Sequence, residues 1–310
     1  MDSVICTLFE RDYHYGVGAL VNSLYHHGFR GTVYAGYRGV LPPWASAARR
    51  QDRYAELTVA PQLLLRFIPL STTSHLTNYK PDFMLSLWDD YCPQAGAMFY
   101  FDPDILLQCR WSFFEEWVRF GVAVCADLNP LFPADHPRRH AWREYFEPHG
   151  VRFIRPQSTA FNAGFVGLSK PHRNFLKTWQ RLLQLMEPAI GGMQHWDIGD
   201  RSFLFHSTDQ DAFDAATMVC EEPLSPAGLE GMDYNHGGGF CFMTHAAGGS
   251  VKPWAKKMLL SALRAMPPRR TDKAFFRYAD APIRLYSPLR LGLKKLDLLA
   301  GSALGRYIHV

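Results

Sequence analysis

The stretch Ala97-Met98-Phe99-Tyr100-Phe101 constrains the fold of this chain more than any other. Five consecutive apolar residues, bounded by Gly96 and by Asp102-Pro103-Asp104, read as a central strand. The opening of the chain agrees. Val4–Leu8 is a short apolar run, Val17–Tyr25 places Val17, Leu20, Val21 and Leu24 at helical spacing with Asp12 as the expected cap, and Thr32–Ala35 is a second short strand. Strand, helix and strand within about 35 residues form a βαβ unit, for which a parallel sheet is the default. Gly16-x-Gly18 lacks the third glycine of a dinucleotide fingerprint, so that reading is set aside.

The remaining elements are coarser. Residues 38–75 read as irregular, Phe83–Trp88 as helix, Val122–Cys125 as strand and residues 127–160 as a long functional loop. Phe161–Leu168 returns to strand, Arg173–Met186 has helical spacing, and Thr208 is placed to cap a helix over Asp209–Val219. A chain of 310 residues is one large α/β domain or two small ones; 47% hydrophobic and 20% charged residues exclude a disordered chain. No apolar run reaches the roughly eighteen residues of a spanning helix, and Met1-Asp2-Ser3-Val4-Ile5-Cys6 does not resemble a secretory signal. Six cysteines far apart in sequence, with no C-x-x-C pair and several inside apolar strand-like runs, predict reduced, buried thiols and a cytoplasmic protein.

Charge is unevenly placed. Residues 252–310 carry thirteen basic and three acidic residues, a net of +10, leaving 20 basic against 26 acidic and a net of −6 for the rest. We therefore divide the chain into residues 1–254 and a basic amphipathic extension, 255–310. Lys256-Lys257-Met258-Leu259-Leu260 and Leu289-Arg290-Leu291-Gly292-Leu293-Lys294-Lys295-Leu296 suit the anionic inner face of a membrane. No recognition motif accompanies the charge, so nucleic acid is not an expected partner. A helical layer covering the sheet, its charges in solvent, is the plainer alternative.

Asp102-Pro103-Asp104 is the sharpest chemical signal. Two carboxylates at the carboxyl end of an apolar strand stand where open α/β sheets bind ligands, and hard divalent ions take oxygen donors. An Asp-Pro turn would account for the segment equally well. His136 and His140 lack further ligands for zinc. Arg138, Arg139, Arg143, Arg152 and Arg155 line either an acceptor cleft for anionic groups or a solvated loop.

Phe161-Asn162-Ala163-Gly164, Thr208-Asp209-Gln210 and His245-Ala246-Ala247-Gly248-Gly249-Ser250-Val251-Lys252 follow in that order, and with the aspartate pair they resemble the family 8 glycosyltransferases over about residues 4–254. The resemblance implies a GT-A-type domain, with a Rossmann-like, mostly parallel sheet flanked by helices. It implies a retaining hexosyltransferase that uses Mn²⁺ or Mg²⁺ and a UDP-sugar, with a glycan or glycolipid hydroxyl as acceptor. By it, Asp102, Asp104 and His245 bind the metal. Thr7, Leu8 and Tyr15 hold the nucleotide, and Lys80, Pro103, Asn162, Ala163 and Gly164 contact the donor. Gly248 and Lys252 close over the diphosphate, Asp209 and Gln210 stand at the reaction centre, and Asp127 faces the sugar. The match departs from the family at three places: Pro103 stands between the aspartates, the segment before them, Asp89 to Gly96, is atypical, and three residues separate Gly248 from Lys252. Two competing readings are a haloacid-dehalogenase-like phosphohydrolase with Asp102 as nucleophile and a non-catalytic nucleotide-sugar-binding protein.

Overall fold

A computed structural model describes residues 2–128, 133–233, 241–248 and 251–308. Along the chain run β1 (Ser3–Glu10), α1 (His14–His26), β2 (Gly31–Arg38), β3 (Arg49–Arg50), β4 (Ala55–Ala60), β5 (Leu63–Pro69), α2 (Lys80–Ser86), β6 (Ala97–Phe101), β7 (Ile105–Leu107), α3 (Trp111–Trp117) and β8 (Val122–Cys125). Then come α4 (Pro137–Phe146), β9 (Phe165–Ser169), α5 (Asn174–Ile190), α6 (Thr208–Val219), β10 (Leu224–Ala227), β11 (Met232–Asp233), β12 (Met243–His245), α7 (Met258–Leu263), α8 (Arg270–Arg277) and α9 (Pro288–Ile308). The class is α/β, and the chain divides into two compact units. One contains Met1–Leu8, Pro69–Asp102 and Ser112–Gly231; the other contains Phe9–Ile68, Pro103–Trp111 and Met232–Val310.

In the first unit five strands lie in the order β10-β8-β9-β6-β1. The sheet is mixed: β6 is parallel to β1 and β10 to β8, while β9 runs antiparallel to both β6 and β8. β6 is buried along its whole length, as its unbroken apolar sequence demands. Gly167 of β9 faces Phe99, and a Cβ there would stand 2.6 Å from the Phe99 ring, so the glycine makes room for the aromatic. α5 presents Phe175, Leu176, Trp179, Leu182 and Leu183 at helical spacing; Phe175 and Trp179 meet Phe213 of α6 edge-on, with centroids 5.6 and 4.8 Å apart.

The second unit contains β2-β5-β4-β3 in that order, with β3–β4 and β4–β5 antiparallel, and a small sheet β11-β12-β7. α1 supports β7: the Leu107 N–H donates to Ser23 Oγ at 3.2 Å. Asn22, fully buried, donates to the carbonyls of Tyr278 and Ile283 and accepts the Ile283 N–H, tying α1 to the segment that follows α8. Asp297 of α9 accepts the Met258 and Leu259 N–H groups, capping α7 from outside it.

Several expectations are corrected. Asp12 does not cap α1, which begins at His14 without a side-chain cap; its carboxylate accepts from Trp254 Nε1 instead. Residues 38–75 hold three strands, because the Leu63-Leu64-Leu65-Arg66-Phe67 alternation completes a hairpin with β4. The loop expected over 127–160 contains α4, started by Pro137 and capped by His136 Nδ1 accepting the Arg138 N–H. Thr208 is the first residue of α6 rather than its cap, and its hydroxyl donates to Asn78 Oδ1. The strand expected over 161–168 is Phe165–Ser169, and Phe161 makes only a lone bridge to Ala126.

Candidate active site

In the first unit, β6 delivers Asp102 and α2 delivers Lys80. Lys80 is fully buried, and its ammonium donates to Asp209 Oδ2 at 2.7 Å and to the Ala163 carbonyl at 3.0 Å, with Asp102 Oδ1 3.3 Å away. Burial opposes the charge, but Asp102 and Asp209 outweigh it and hold the Lys80 pKa above its ordinary value. Burial pushes the Asp209 carboxyl up to about 7 despite the neighbouring Lys80 ammonium. One Asp209 oxygen is anchored on Lys80; the other, Oδ1, is buried and has no hydrogen-bond partner among the described residues. Such an uncommitted oxygen can serve a ligand.

Around them the Asn162-Ala163-Gly164 turn is stitched down. Asn162 Nδ2 donates to Asp127 Oδ2 at 2.8 Å, and its Oδ1 accepts the Gly164 N–H at 2.9 Å. The Asp102 N–H donates to the Gly164 carbonyl at 2.7 Å. Gln210 Oε1 accepts the Ala163 N–H, and its Nε2 donates to the Phe161 carbonyl, so both ends of this amide hold the turn. Thr7 and Leu8 are buried on β1, and Thr7 Oγ1 has no hydrogen-bond partner among the described residues.

In the second unit Asp104 is the hub. Its carboxylate meets His245 Nε2 at 3.2 Å and Lys252 Nζ at 2.6 Å. Burial alone would raise this carboxyl; His245 and Lys252 outweigh burial and hold it well below the usual carboxylate range. β12 brings His245 opposite Ile105, the residue after Asp104, and the Ala246 N–H donates to the Asp104 carbonyl at 3.0 Å. Lys252 also donates to the Ala246 carbonyl. Gly16 lets α1 approach Pro103, where a Cβ would lie 2.3 Å from the Pro103 carbonyl oxygen. Gly248 has a positive φ of 66°. Tyr15 stacks on Tyr286 with centroids 5.1 Å apart. Gly249 and Ser250 lie outside the described residues.

Asp102, Asp104 and His245 each offer one ligand atom, and these atoms lie within 4.8 Å of one another. Two carboxylates and an imidazole are a donor set that fits Mn²⁺ or Mg²⁺. Among the described residues this is the one such group of three. The arginines expected to line a cleft are partly spoken for: Arg139 is buried and donates to the Thr159 carbonyl, and Arg155 donates to the carbonyls of Thr217, Glu221 and Glu222. His136 is occupied as a helix cap.

Three residues were not singled out in the sequence. Tyr100 donates its hydroxyl to Asp102 Oδ1 at 2.9 Å. Met232 sets its sulfur 3.2 Å from His245 Nδ1. Asp214 accepts the Phe161 N–H at 2.7 Å. Only Tyr100 left a signal, a polar-tipped aromatic two residues before the first aspartate.

No protein-family profile and no curated protein matches this sequence. Solved structures do. The chain is similar to the galactosyltransferase LgtC, solved with donor and acceptor sugar analogues, at 14% identity and a TM-score of 0.53, covering 94% of this chain and 99% of that one. It is similar to the bifunctional glycosyltransferase WbbM, in its apo form, at 14% identity and a TM-score of 0.52 over 94% of this chain. The chain spans about half of WbbM, 51% of its length. At this identity the likeness establishes the fold, which is the glycosyltransferase GT-A-like α/β fold.

Proposed function

We propose that this protein is a metal-dependent retaining glycosyltransferase that moves a hexose from a nucleotide diphosphate sugar, most simply a UDP-sugar, to a hydroxyl of a glycan or glycolipid. The observation that carries the reading is the Asp102, Asp104 and His245 group, at the end of the central strand of a fold shared with glycosyltransferases.

In this reading the three residues hold Mn²⁺ or Mg²⁺, which when bound supplies Lewis-acid stabilisation of a departing diphosphate. Thr7, Leu8 and Tyr15 hold the nucleotide, and Pro103 shapes the backbone at the metal. Lys252, now paired with Asp104, turns its ammonium to the diphosphate as Gly248 lets its loop close, adding fixed positive charge where negative charge develops. Lys80, Asp127, Asn162, Ala163 and Gly164 form the sugar pocket. Asp209 keeps one oxygen on Lys80 and offers the other to the sugar, while Gln210 holds the 162–164 turn in position. Retention follows either from attack by Asp209 and a second displacement, or from front-face attack with the leaving phosphate taking the acceptor's proton. The basic extension, 255–310, carries the acceptor side of the work: exposed Leu289, Leu293, Leu296 and Leu299 share one face of α9, with Arg290 and Lys295 beside them, a pattern suited to an anionic membrane at whose cytoplasmic face the protein would work.

The decisive experiment is a donor-hydrolysis screen over UDP- and GDP-sugars with Mn²⁺. We expect slow release of nucleotide from one donor, abolished by chelator and by Asp102→Ala or Asp104→Ala in proteins that remain folded. Turnover undiminished in full chelator would refute the metal role. Nucleotide binding without turnover would leave a binding protein, and phosphate release from simple esters a phosphohydrolase.

A further inference from the structure

β7 and β12 pair with Ile105 opposite His245, Leu106 opposite Thr244 and Leu107 opposite Met243. The ladder continues past the strands, for the Gln108 N–H donates to the Phe242 carbonyl at 2.8 Å. At the other end the Ala246 N–H donates to the Asp104 carbonyl at 3.0 Å. Hydrogen-bonded and non-hydrogen-bonded pairs alternate along an antiparallel ladder. The hydrogen-bonded pairs are therefore Asp104 with Ala246, Leu106 with Thr244 and Gln108 with Phe242. The other set is Ile105 with His245, Leu107 with Met243 and, one step further in the same register, Cys109 with Cys241.

That position is the one at which a disulfide can span two strands. Non-hydrogen-bonded partners sit with Cα atoms about 4.5 Å apart and side chains at their closest. A disulfide needs Cα atoms roughly 4.4–6.8 Å apart. Both thiols are free and half-exposed, so a small oxidant can reach them. Burial first, then the nearby Cys241, pushes the Cys109 thiol up to about 11. Cys6, Cys125 and Cys220 are buried away from solvent.

We propose that Cys109 and Cys241 are a modification site, closing to a reversible cross-strand disulfide by exchange with a low-molecular-weight disulfide. The thiolate of one cysteine attacks a sulfur of the small disulfide, forming a mixed disulfide and expelling one small thiolate. The second cysteine then attacks the protein sulfur of that mixed disulfide, forming the Cys109–Cys241 bond and expelling the second small thiolate. Both protein thiols are oxidised, the small disulfide is reduced to two thiols, and the two cysteine protons pass to them. The bond joins the strand that follows Asp104 to the strand that ends in His245 and fixes their register. Because the thiols are held protonated at neutral pH, closure is slow there and quickens as pH rises.

The experiment uses the full chain. It is incubated with oxidised glutathione at pH 7 and at pH 9, denatured, alkylated and mapped by mass spectrometry with and without dithiothreitol. We expect a Cys109–Cys241 cross-linked peptide that forms faster at pH 9, disappears on reduction and still forms in Cys92→Ser. In Cys109→Ser the remaining Cys241 should instead accumulate a glutathione adduct, and in Cys241→Ser so should Cys109. The proposal is overturned if the two cysteines of the unaltered chain stay separately alkylated, or if both carry stable glutathione adducts without joining. None of these outcomes depends on sugar transfer, so the result stands apart from the function proposed above.

Discussion

At the scale of single residues, Lys80 is the most telling. It is an ammonium buried among two carboxylates and a carbonyl. Replacing it by Met leaves Asp209 and Asp102 facing each other uncompensated. We expect Lys80→Met to lose about 3–5 kcal/mol of stability, the usual cost of stripping one partner from a buried pair, read as a fall in denaturation midpoint; an unchanged midpoint would show that the carboxylates are not held by this lysine. Asp211 tests pH. Burial raises its carboxyl to about 7 even though the Ser207 N–H donates to it. An acid whose folded pKa exceeds its unfolded value binds more protons when folded, so its contribution is favourable below about pH 4 and is lost as pH rises to 7. Asp211→Asn should therefore be more stable than the unaltered protein at pH 8, by on the order of 2 kcal/mol, and equal to it at pH 4. A pH-independent difference would show that the carboxyl never carries a raised pKa. Asp209, raised for the same reason, acts in the same sense. Legibility at this scale was uneven. The aspartate pair stood out because two carboxylates end an apolar run. The Met232 contact did not, since it is an ordinary core residue until the fold turns it toward His245.

At the scale of elements, the strands and helices with one strong period were legible. β6 had no polar face to hide, and α5 showed its buried stripe plainly. Boundaries were less so, because they depend on partners distant in sequence. Asp12 had the chemistry of a cap and was claimed by Trp254. α7 is capped by Asp297, almost forty residues away, a contact that no local pattern encodes. β3 to β5 were missed because a hairpin's second strand supplies what the first one lacks. Gly167 offers a test of the sheet: its missing Cβ makes room for Phe99. Gly167→Ala should cost about 1–3 kcal/mol through overpacking of a core with no slack, measured by thermal denaturation, and Phe99→Leu should recover part of the loss. No recovery would place the strain elsewhere than at that ring.

At the scale of the whole molecule, charge asymmetry was readable from the sequence, whereas the folding of the basic extension into the unit that holds Asp104 and His245 was not. The exposed leucines of α9 and the basic residues beside them predict sedimentation with vesicles of anionic lipid and weak sedimentation with neutral ones. Arg290→Glu with Lys295→Glu should weaken the anionic binding about tenfold or more at low salt; equal sedimentation would remove the membrane from the proposal. The Asn22 amide decides how such questions can be asked. Among the described residues it is satisfied by backbone groups of Tyr278 and Ile283, deep beneath the surface. A chain cut after Trp254 would strand that amide in oil and take the cover off α1. Deleting the extension thus wounds the unit it folds into, and surface exchange, residue by residue, is the only scalpel fine enough to separate anchoring from folding.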